Sequence, residues 1–213
     1  MRRSCESSKG LTVGQRLGRE MPWGPPFAER RNFEWGYFTL ERHFVDKYLK
    51  KPSSVLVIGS ANGREARPIA ADGHRIVCVD IGFLYVKGGS ILCTREGLGN
   101  IHFLQADMHA LPFAIDTFDF IFFSIYPAAG TRRFEVLHKV RDTLRPGGTV
   151  ILLIPTPFYR GFYSSLPIPD MLILTEEEMV EEIVNIEECR FRFHESSVDP
   201  VRNDLRYAVF EAC

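Results

Sequence analysis

Short runs of apolar residues alternate along the chain with segments in which apolar positions recur every three or four residues. Five runs are continuous and rich in β-branched or aromatic side chains, and they cover residues 55–59, 76–80, 101–105, 118–123 and 149–154. Continuous apolar runs of this length are typical of parallel strands that are buried on both faces. The pattern therefore predicts a parallel sheet whose strands are connected by helices.

Helical spacing is clearest in two of the intervening segments, at residues 37–48 and 134–144. The second segment stops at Arg145-Pro146-Gly147-Gly148, a sequence that predicts the end of a helix followed by a turn. Pro68 predicts a short or kinked helix after the first run, and Gly88-Gly89 weakens the helix after the second run.

The C-terminal part of the chain has a different pattern. Residues 175–178 form a capping-box sequence that opens a helix. Alternating apolar and polar residues at 189–195 and 206–211 predict two strands that pair as a hairpin. The expected fold is α/β, with a single Rossmann-like doubly wound sheet that is mostly parallel and ends in an antiparallel hairpin.

The N-terminal segment differs in composition from the rest of the chain. Residues 1–32 are polar and rich in glycine and proline, and they include the stretch Pro22-Trp23-Gly24-Pro25-Pro26-Phe27. Such a stretch fits neither a helix nor a central strand. We therefore expect a tail or a lid over residues 1–32 and one folded domain over residues 33–213.

Composition and charge exclude several classes of protein. Of the 213 residues, 45% are hydrophobic and 25% are charged, which is typical of a globular protein. Lysine and arginine number 26 against 27 acidic residues, a net charge of −1, so nucleic acid is not an expected partner. No uncharged run is long enough to cross a membrane, so no membrane association is expected.

The five cysteines fit neither a disulfide framework nor a metal site. They include no C-x-x-C pair, and the histidines show no pair at metal-ligand spacing. The sequence therefore predicts no metal, and a reducing cytoplasm is the expected location.

The first apolar run ends in a turn of small residues, at Gly59, Ala61 and Gly63. Small residues let the backbone turn tightly beside a ligand, so the turn is a candidate for binding a nucleotide. The dinucleotide pattern G-x-G-x-x-G fails at its last position, which is Arg64. Asp80 ends the second run, where its carboxylate could accept the ribose hydroxyls of a nucleoside, but a dehydrogenase would share this acid.

Four motifs in the same order make the sequence resemble the class I S-adenosylmethionine-dependent methyltransferases. Beside the glycine turn and Asp80, the chain contains Asp107-Met108-His109-Ala110-Leu111-Pro112-Phe113, then Phe118-Asp119, and Leu144-Arg145-Pro146-Gly147-Gly148 before the fifth run. The resemblance covers roughly residues 35–154 and is continued by the terminal hairpin. It implies the seven-stranded methyltransferase fold and S-adenosyl-L-methionine as the cofactor.

The resemblance also implies a cofactor site at the ends of the strands, made by Gly59, Ser60, Ala61, Gly63, Asp80, Ile81, Asp107, Met108 and Ser124. The glycine turn would surround the methionine part, and Asp80 would hold the ribose hydroxyls. Asp107 would take the adenine amino group, with the backbone of Met108 against the ring. Ser124 would point toward the methionyl group or the acceptor. Asp80 and Asp107 have a second interpretation, in which each only caps the element that follows it.

Two positions depart from the family pattern. Val57 stands where the family usually has an acid that helps to bind the cofactor's ammonium group, and Ala61 replaces the middle glycine of the turn. The missing acid predicts either a lower cofactor affinity or another residue that compensates for it. The methyl group of Ala61 is expected to matter little.

The predicted function is methyl transfer from S-adenosyl-L-methionine to a small-molecule acceptor. No catalytic residue is assigned, because methyl transfer from a sulfonium needs a base only for some acceptors. Aromatic residues at 23–37 and 158–163 are candidates for shielding the acceptor. The alternatives are an inactive protein of this fold that binds the cofactor or a partner, an RNA or protein methyltransferase, and another nucleotide-using enzyme. The oligomeric state is left open.

Overall fold

The computed structural model describes residues 36–50, 52–124, 132–156, 174–186, 189–200 and 205–213. The predicted tail or lid at residues 1–32 and the aromatic residues at 158–163 lie outside these ranges, as does most of the aromatic stretch before the first helix. The predicted boundary between this segment and the folded domain therefore stays a prediction.

The described strands form one mixed sheet of seven strands. They are β1 (Ser54–Ile58), β2 (Arg75–Asp80), β3 (Ile101–Gln105), β4 (Phe118–Phe123), β5 (Leu144–Pro155), β6 (Phe191–Val198) and β7 (Leu205–Ala212). Their order is β3-β2-β1-β4-β5-β7-β6. The first five are parallel, and β7 pairs antiparallel with β5 and β6. The predicted doubly wound sheet with a terminal antiparallel hairpin is confirmed.

Five described helices cover the two faces of this sheet. They are α1 (Thr39–Tyr48), α2 (Ala66–Ala71), α3 (Phe83–Arg95), α4 (Arg133–Thr143) and α5 (Glu176–Val184). Buried side chains of α1, α2 and α3 pack on one face, and those of α4 and α5 pack on the other. The predicted capping box at the start of α5 is present, because Thr175 and Glu178 each bind the other's backbone N–H.

The helix that contains Pro68 and the helix that contains Gly88-Gly89 differ in length. α2 has only six residues and contains Pro68, as the sequence predicts. α3 continues for 13 residues through Gly88 and Gly89. A Cβ atom on Gly89 would lie 2.5 Å from Cζ of Phe103 and 2.7 Å from the Asn62 carbonyl oxygen. Glycine therefore lets α3 pack directly against the turn that follows β1.

The predicted turn at Arg145-Pro146-Gly147-Gly148 is instead an irregular start of β5. Phe118 of β4 pairs with Leu144, but Phe120 already pairs with Thr149. Residues 145–148 therefore lie opposite the single residue Asp119 and form a bulge, in which Gly147 has a φ of 74°. The sequence locates the end of α4 correctly, but it does not reveal that β4 pairs with Leu144 before this segment and with Thr149 after it.

None of the helices that the structure describes is both long enough and apolar enough to cross a membrane.

Candidate functional site

The strand order places the ends of β1 and β4 next to each other at the middle of the sheet. From β1 the chain proceeds to β2 and β3 on one side, whereas β4 and β5 lie on the other side. Ligands of doubly wound sheets bind at the carboxyl edge where the strand order reverses. The turn after β1 lies at this position, so it is the starting point for the site.

The turn after β1 is held by backbone hydrogen bonds and by an unusual backbone conformation. The N–H groups of Gly59 and Ser60 donate to the Val79 carbonyl at 2.9 and 3.1 Å, and the Gly63 N–H donates to the Ser60 carbonyl at 2.8 Å. Gly59, Ala61 and Gly63 have positive φ angles of 72°, 45° and 87°. Positive φ is unfavourable for alanine, so Ala61 carries a cost that a glycine would avoid. We therefore expect Ala61 to matter more than its methyl group alone predicts.

Asp80 is bound to this turn through both carboxylate oxygens. Its Oδ2 accepts from the Ala61 N–H at 2.9 Å, and its Oδ1 accepts from the Gly82 N–H at 2.8 Å. Burial raises the pKa of Asp80 above its ordinary value, although the backbone donors partly oppose this shift. Each carboxylate oxygen has two lone pairs, so the oxygens can accept further donors in addition to these N–H groups.

Asp107 follows β3, the strand next to β2, and caps a short 3-10 helix over Met108–Ala110. Its Oδ1 lies 2.9 Å from the His109 N–H and 2.8 Å from His109 Nδ1. The Met108 side chain is buried in the core, so only its backbone can face a ligand. The capping role of Asp107 is therefore present, and it leaves the predicted role in binding a ligand untested.

Ser124 directly follows β4 and connects this strand to the turn after β1. Its hydroxyl donates to the carbonyl oxygens of Ile58 at 3.1 Å and Gly59 at 3.0 Å. The side chain therefore stabilises the turn. The hydroxyl proton of Ser124 is thus engaged in a hydrogen bond within the protein. The sequence does not reveal this arrangement.

The structure brings most of the sequence-predicted site residues into one hydrogen-bonded unit. The glycine turn, Asp80 and Ser124 are connected directly. The backbone of Ala106, the residue before Asp107, donates to the Asp80 carbonyl at 3.1 Å, which holds β3 and its following turn beside β2. The carbonyl of Ile81 accepts from the Gln105 side chain at 3.1 Å and lies at the same edge.

A buried ionic cluster beneath the turn is absent from the sequence-based site. Arg64 donates to both carboxylate oxygens of Glu41 at 2.7 Å, to the Gly36 carbonyl at 2.7 Å and to Oε1 of Glu65. The Tyr207 hydroxyl also donates to Glu41, at 3.2 Å. We call Glu41, Arg64 and Glu65 the ionic cluster. The only sequence signal for it is the charged pair Arg64-Glu65 immediately after an otherwise small and polar turn.

Burial controls the electrostatics of the ionic cluster. Arg64 and Glu65 are 8% and 6% exposed, and Glu41 is fully buried. Burial raises the pKa of Glu65, because removal from water penalises the charged carboxylate more than Arg64 stabilises it. Burial opposes the charge of Arg64, but the carboxylates of Glu65 and Glu41 outweigh this effect and raise the pKa of Arg64, which keeps the guanidinium charged. The cluster attaches α1 and β7 to the first residues after the glycine turn.

Residues 55–148 match a family model described as a methyltransferase domain. The chain is 29% identical over 120 residues to the ubiquinone/menaquinone biosynthesis C-methyltransferase UbiE of Idiomarina loihiensis, a match that covers 56% of this chain and 47% of that protein. It is 27% identical over 157 residues to UbiE of Hahella chejuensis, which covers 68% of this chain and 61% of that protein. The chain thus spans about half to three fifths of the length of these relatives.

The fold is also similar to solved structures. One is a chain in the complex between the Haloferax volcanii Trm112 methyltransferase activator and a putative methyltransferase, with a TM-score of 0.72. The match covers 87% of this chain and 93% of that one, at 15% sequence identity. At this level of identity, the likeness concerns the fold.

Proposed function

Because the chain belongs to the class I S-adenosylmethionine-dependent methyltransferases, with S-adenosyl-L-methionine as its cofactor, we propose that it transfers a methyl group to a small-molecule acceptor. The UbiE relatives are C-methyltransferases by name, so we further propose a carbon atom as the site of methylation. The near-neutral charge of the chain favours a small acceptor over a nucleic acid.

The observation that supports this proposal most strongly is the connection between Asp80 and the glycine turn. Two backbone N–H groups fix the Asp80 carboxylate at the carboxyl edge, where we assign it to the ribose hydroxyls of the cofactor. Gly59, Ser60, Ala61 and Gly63 bring the backbone to the same place, where we assign them to the methionine part. A fixed carboxylate beside a tight turn fits a nucleoside that carries an amino-acid chain.

The remaining candidate residues complete the proposed site from the neighbouring strand ends. We assign Asp107 and the Met108 backbone to the adenine ring, and Ile81 to the surface beside the ribose. Ser124 is assigned a positioning role, because its hydroxyl already binds the carbonyl groups of Ile58 and Gly59. These assignments apply the family pattern residue by residue to the edge that the hydrogen bonds hold together.

The chain's own contribution to the reaction is positioning. When bound, S-adenosyl-L-methionine supplies an activated methyl group, so the protein needs to hold the acceptor in line with it and exclude water. The buried side of the turn is held rigid from three directions, by Asp80, by Ser124 and by the ionic cluster. A rigid turn is what in-line transfer requires, because small displacements of the reacting groups cost much of the rate.

A reducing cytoplasmic setting is part of the proposal. Among the described cysteines, Cys78, Cys93 and Cys189 are buried as free thiols, and Cys213 is exposed as a free thiol. Burial raises the pKa of Cys93 and of Cys189 to about 12, so neither forms a thiolate readily.

The proposal is tested by following methyl transfer from isotopically labelled S-adenosyl-L-methionine into a pool of small molecules. We expect a labelled product with the wild-type protein and much less product with Asp80→Asn when the cofactor is kept near its wild-type dissociation constant, because this variant keeps the size of the side chain but removes its charge. Mass spectrometry of the product identifies the methylated atom. Cofactor binding without a product from any acceptor would contradict catalysis and favour the inactive binding protein.

A further inference from the structure

The ionic cluster lies on the same face of the sheet as Val57. Val57 of β1 pairs with Cys78 on one side and with Phe122 on the other. The Tyr207 hydroxyl binds Glu41, and Tyr207 belongs to the same buried layer as Val57. Along β7, Tyr207 lies two residues nearer the carboxyl edge than Val209, which stands in the row of Val57. Because Arg64 joins Glu65 to Glu41, the Glu65 carboxylate lies on this face near the carboxyl edge, two residues after the turn ends at Gly63.

The ionic cluster contains two acidic side chains and one basic side chain. Glu41 takes two hydrogen bonds from Arg64, so the single guanidinium is already shared before it reaches Glu65. Among the described residues, Arg64 is the cation that donates a hydrogen bond to Glu65. With Glu65 ionised, two carboxylates and one guanidinium leave an excess of one negative charge, and burial opposes this state by raising the pKa of Glu65. Buried charge without a counterion is costly, so a cationic group that arrives here is stabilised.

The Glu65 carboxylate has capacity for such a group. Of the hydrogen bonds from other residues that the structure describes, one reaches it, from Arg64 to Oε1. The side chain is 8% exposed, so it retains a small opening although it is almost entirely enclosed. A carboxylate with four acceptor positions can take an additional ammonium donor.

We propose that Glu65 binds the α-ammonium group of the cofactor and supplies the negative charge that Val57 lacks. This inference rests on the proposed function, which places the methionine part of the cofactor on the glycine turn. Glu65 stands two residues after Gly63 and below that turn. Glu41 and Arg64 are positioning residues in this arrangement, because they hold the Glu65 carboxylate without contacting the cofactor.

The proposal is tested by combining a protein variant with a ligand that lacks the amino group. The ligands are S-adenosylhomocysteine and its analogue in which hydrogen replaces the α-amino group. The proteins are the wild type, Glu65→Gln and the control Glu177→Gln, which removes an exposed carboxylate of α5. Isothermal titration calorimetry gives the dissociation constant for each pair.

We expect Glu65→Gln to weaken the binding of S-adenosylhomocysteine about 10-fold, as for the loss of one charge-assisted hydrogen bond. The same variant should change binding of the analogue less than about 2-fold, because the analogue has no ammonium group to lose. Glu177→Gln should bind both ligands like the wild type. An equal loss for both ligands would show that Glu65 acts only on the shape of the turn, and would overturn the inference.

Two other outcomes can be distinguished from a failure of the proposed role of Glu65. If the wild-type protein binds neither ligand, the proposed function fails, rather than the role of Glu65 alone. If Glu65→Gln does not fold, the wild-type protein still decides: it must bind S-adenosylhomocysteine about 10-fold more tightly than the analogue. Equal wild-type affinities for the two ligands would overturn the inference without any variant.

Discussion

The two faces of the sheet differ in what covers them near the carboxyl edge. Beneath α4 and α5 the buried layer is apolar, with residues such as Phe123, Val140 and Ile183 in one continuous cluster. Beneath α1 and α2 an apolar layer is also present, but at the carboxyl edge it gives way to Glu41, Arg64 and Glu65. Among the described residues, this face thus carries the more deeply buried ionic group, whereas the Arg133–Glu182 pair of α4 and α5 keeps more of its side chains exposed.

The difference between the two faces separates residues that stabilise the fold from residues that support the binding site. An apolar layer contributes in proportion to the surface that it removes from water. A buried ionic cluster gains little net stability, because desolvation offsets most of the attraction between its charges. We infer that the α4–α5 face mainly stabilises the fold, and that the polar part of the other face is retained for what it does to the turn.

The largest effect is expected from removing the cation of the ionic cluster. Arg64→Leu leaves the carboxylates of Glu41 and Glu65 buried beside each other without their shared partner. Breaking a buried pair in this way costs about 3–5 kcal/mol of unfolding free energy. Urea denaturation should show this loss, and the surviving folded protein should bind S-adenosylhomocysteine more weakly. An unchanged free energy of unfolding would show that Arg64 is not the buried partner of Glu41 and Glu65.

A cavity on the opposite face should reduce stability without affecting the site. Ile183 of α5 is fully buried against the apolar cluster. Ile183→Ala should lower the unfolding free energy by about 3 kcal/mol through lost burial and the cavity left behind. The dissociation constant for S-adenosylhomocysteine should stay within about 2-fold of the wild-type value, as expected for a distant site. A parallel loss of affinity would contradict the separation of the two faces.

The charge of Asp80 should control affinity rather than folding. Asp80→Asn should weaken S-adenosylhomocysteine binding about 30-fold, or about 2 kcal/mol, because the ribose hydroxyls lose a charged acceptor. Burial raises the pKa of Asp80, so its ionised form is lost at a higher pH than that of an ordinary aspartate. Wild-type affinity should therefore fall as the pH drops through this raised pKa, and the affinity of Asp80→Asn should not show that fall. Identical pH profiles would exclude Asp80 as the acceptor.

The smallest effect concerns the packing of α3 against the turn. Gly89→Ala places a methyl group 2.7 Å from the Asn62 carbonyl and closer still to the Phe103 ring. Overpacking of this kind costs about 1–2 kcal/mol, part of which the better helix propensity of alanine offsets. Because Asn62 belongs to the turn, we expect a several-fold loss of cofactor affinity as well. Gly88→Ala on the same helix is the control, and equal behaviour of the two variants would contradict the close approach.

Much of the fold can be predicted from the sequence because its signals are local. The five apolar runs match β1 to β5, since strands buried on both faces need no partner to be recognised in a sequence. The bulge at residues 145–148 could not be predicted, because Pro146 and Gly147 indicate a turn equally well. What distinguishes the two is pairing with β4, which depends on contacts distant in sequence.

Part of the candidate site could likewise be predicted from the sequence, and part could not. The glycine turn and Asp80 have a fixed spacing along the chain, so their proximity could be predicted. The ionic cluster joins Glu41 to Arg64 across 23 positions and to Tyr207 across 166. No local pattern records such contacts, and a charged pair after a turn would ordinarily be read as solvated. The direction of the Ser124 hydroxyl is likewise set by the neighbouring strand.

We propose that the edge formed by the glycine turn and Asp80 binds S-adenosyl-L-methionine. The most direct measurement is a thermal denaturation of the wild-type protein with S-adenosylhomocysteine or with NAD, each at increasing concentration. We predict saturable stabilisation by S-adenosylhomocysteine, about 2.7 kcal/mol at 100 times its dissociation constant, and none by NAD. Stabilisation by NAD alone, or by neither ligand, would contradict the assignment of this edge to S-adenosyl-L-methionine.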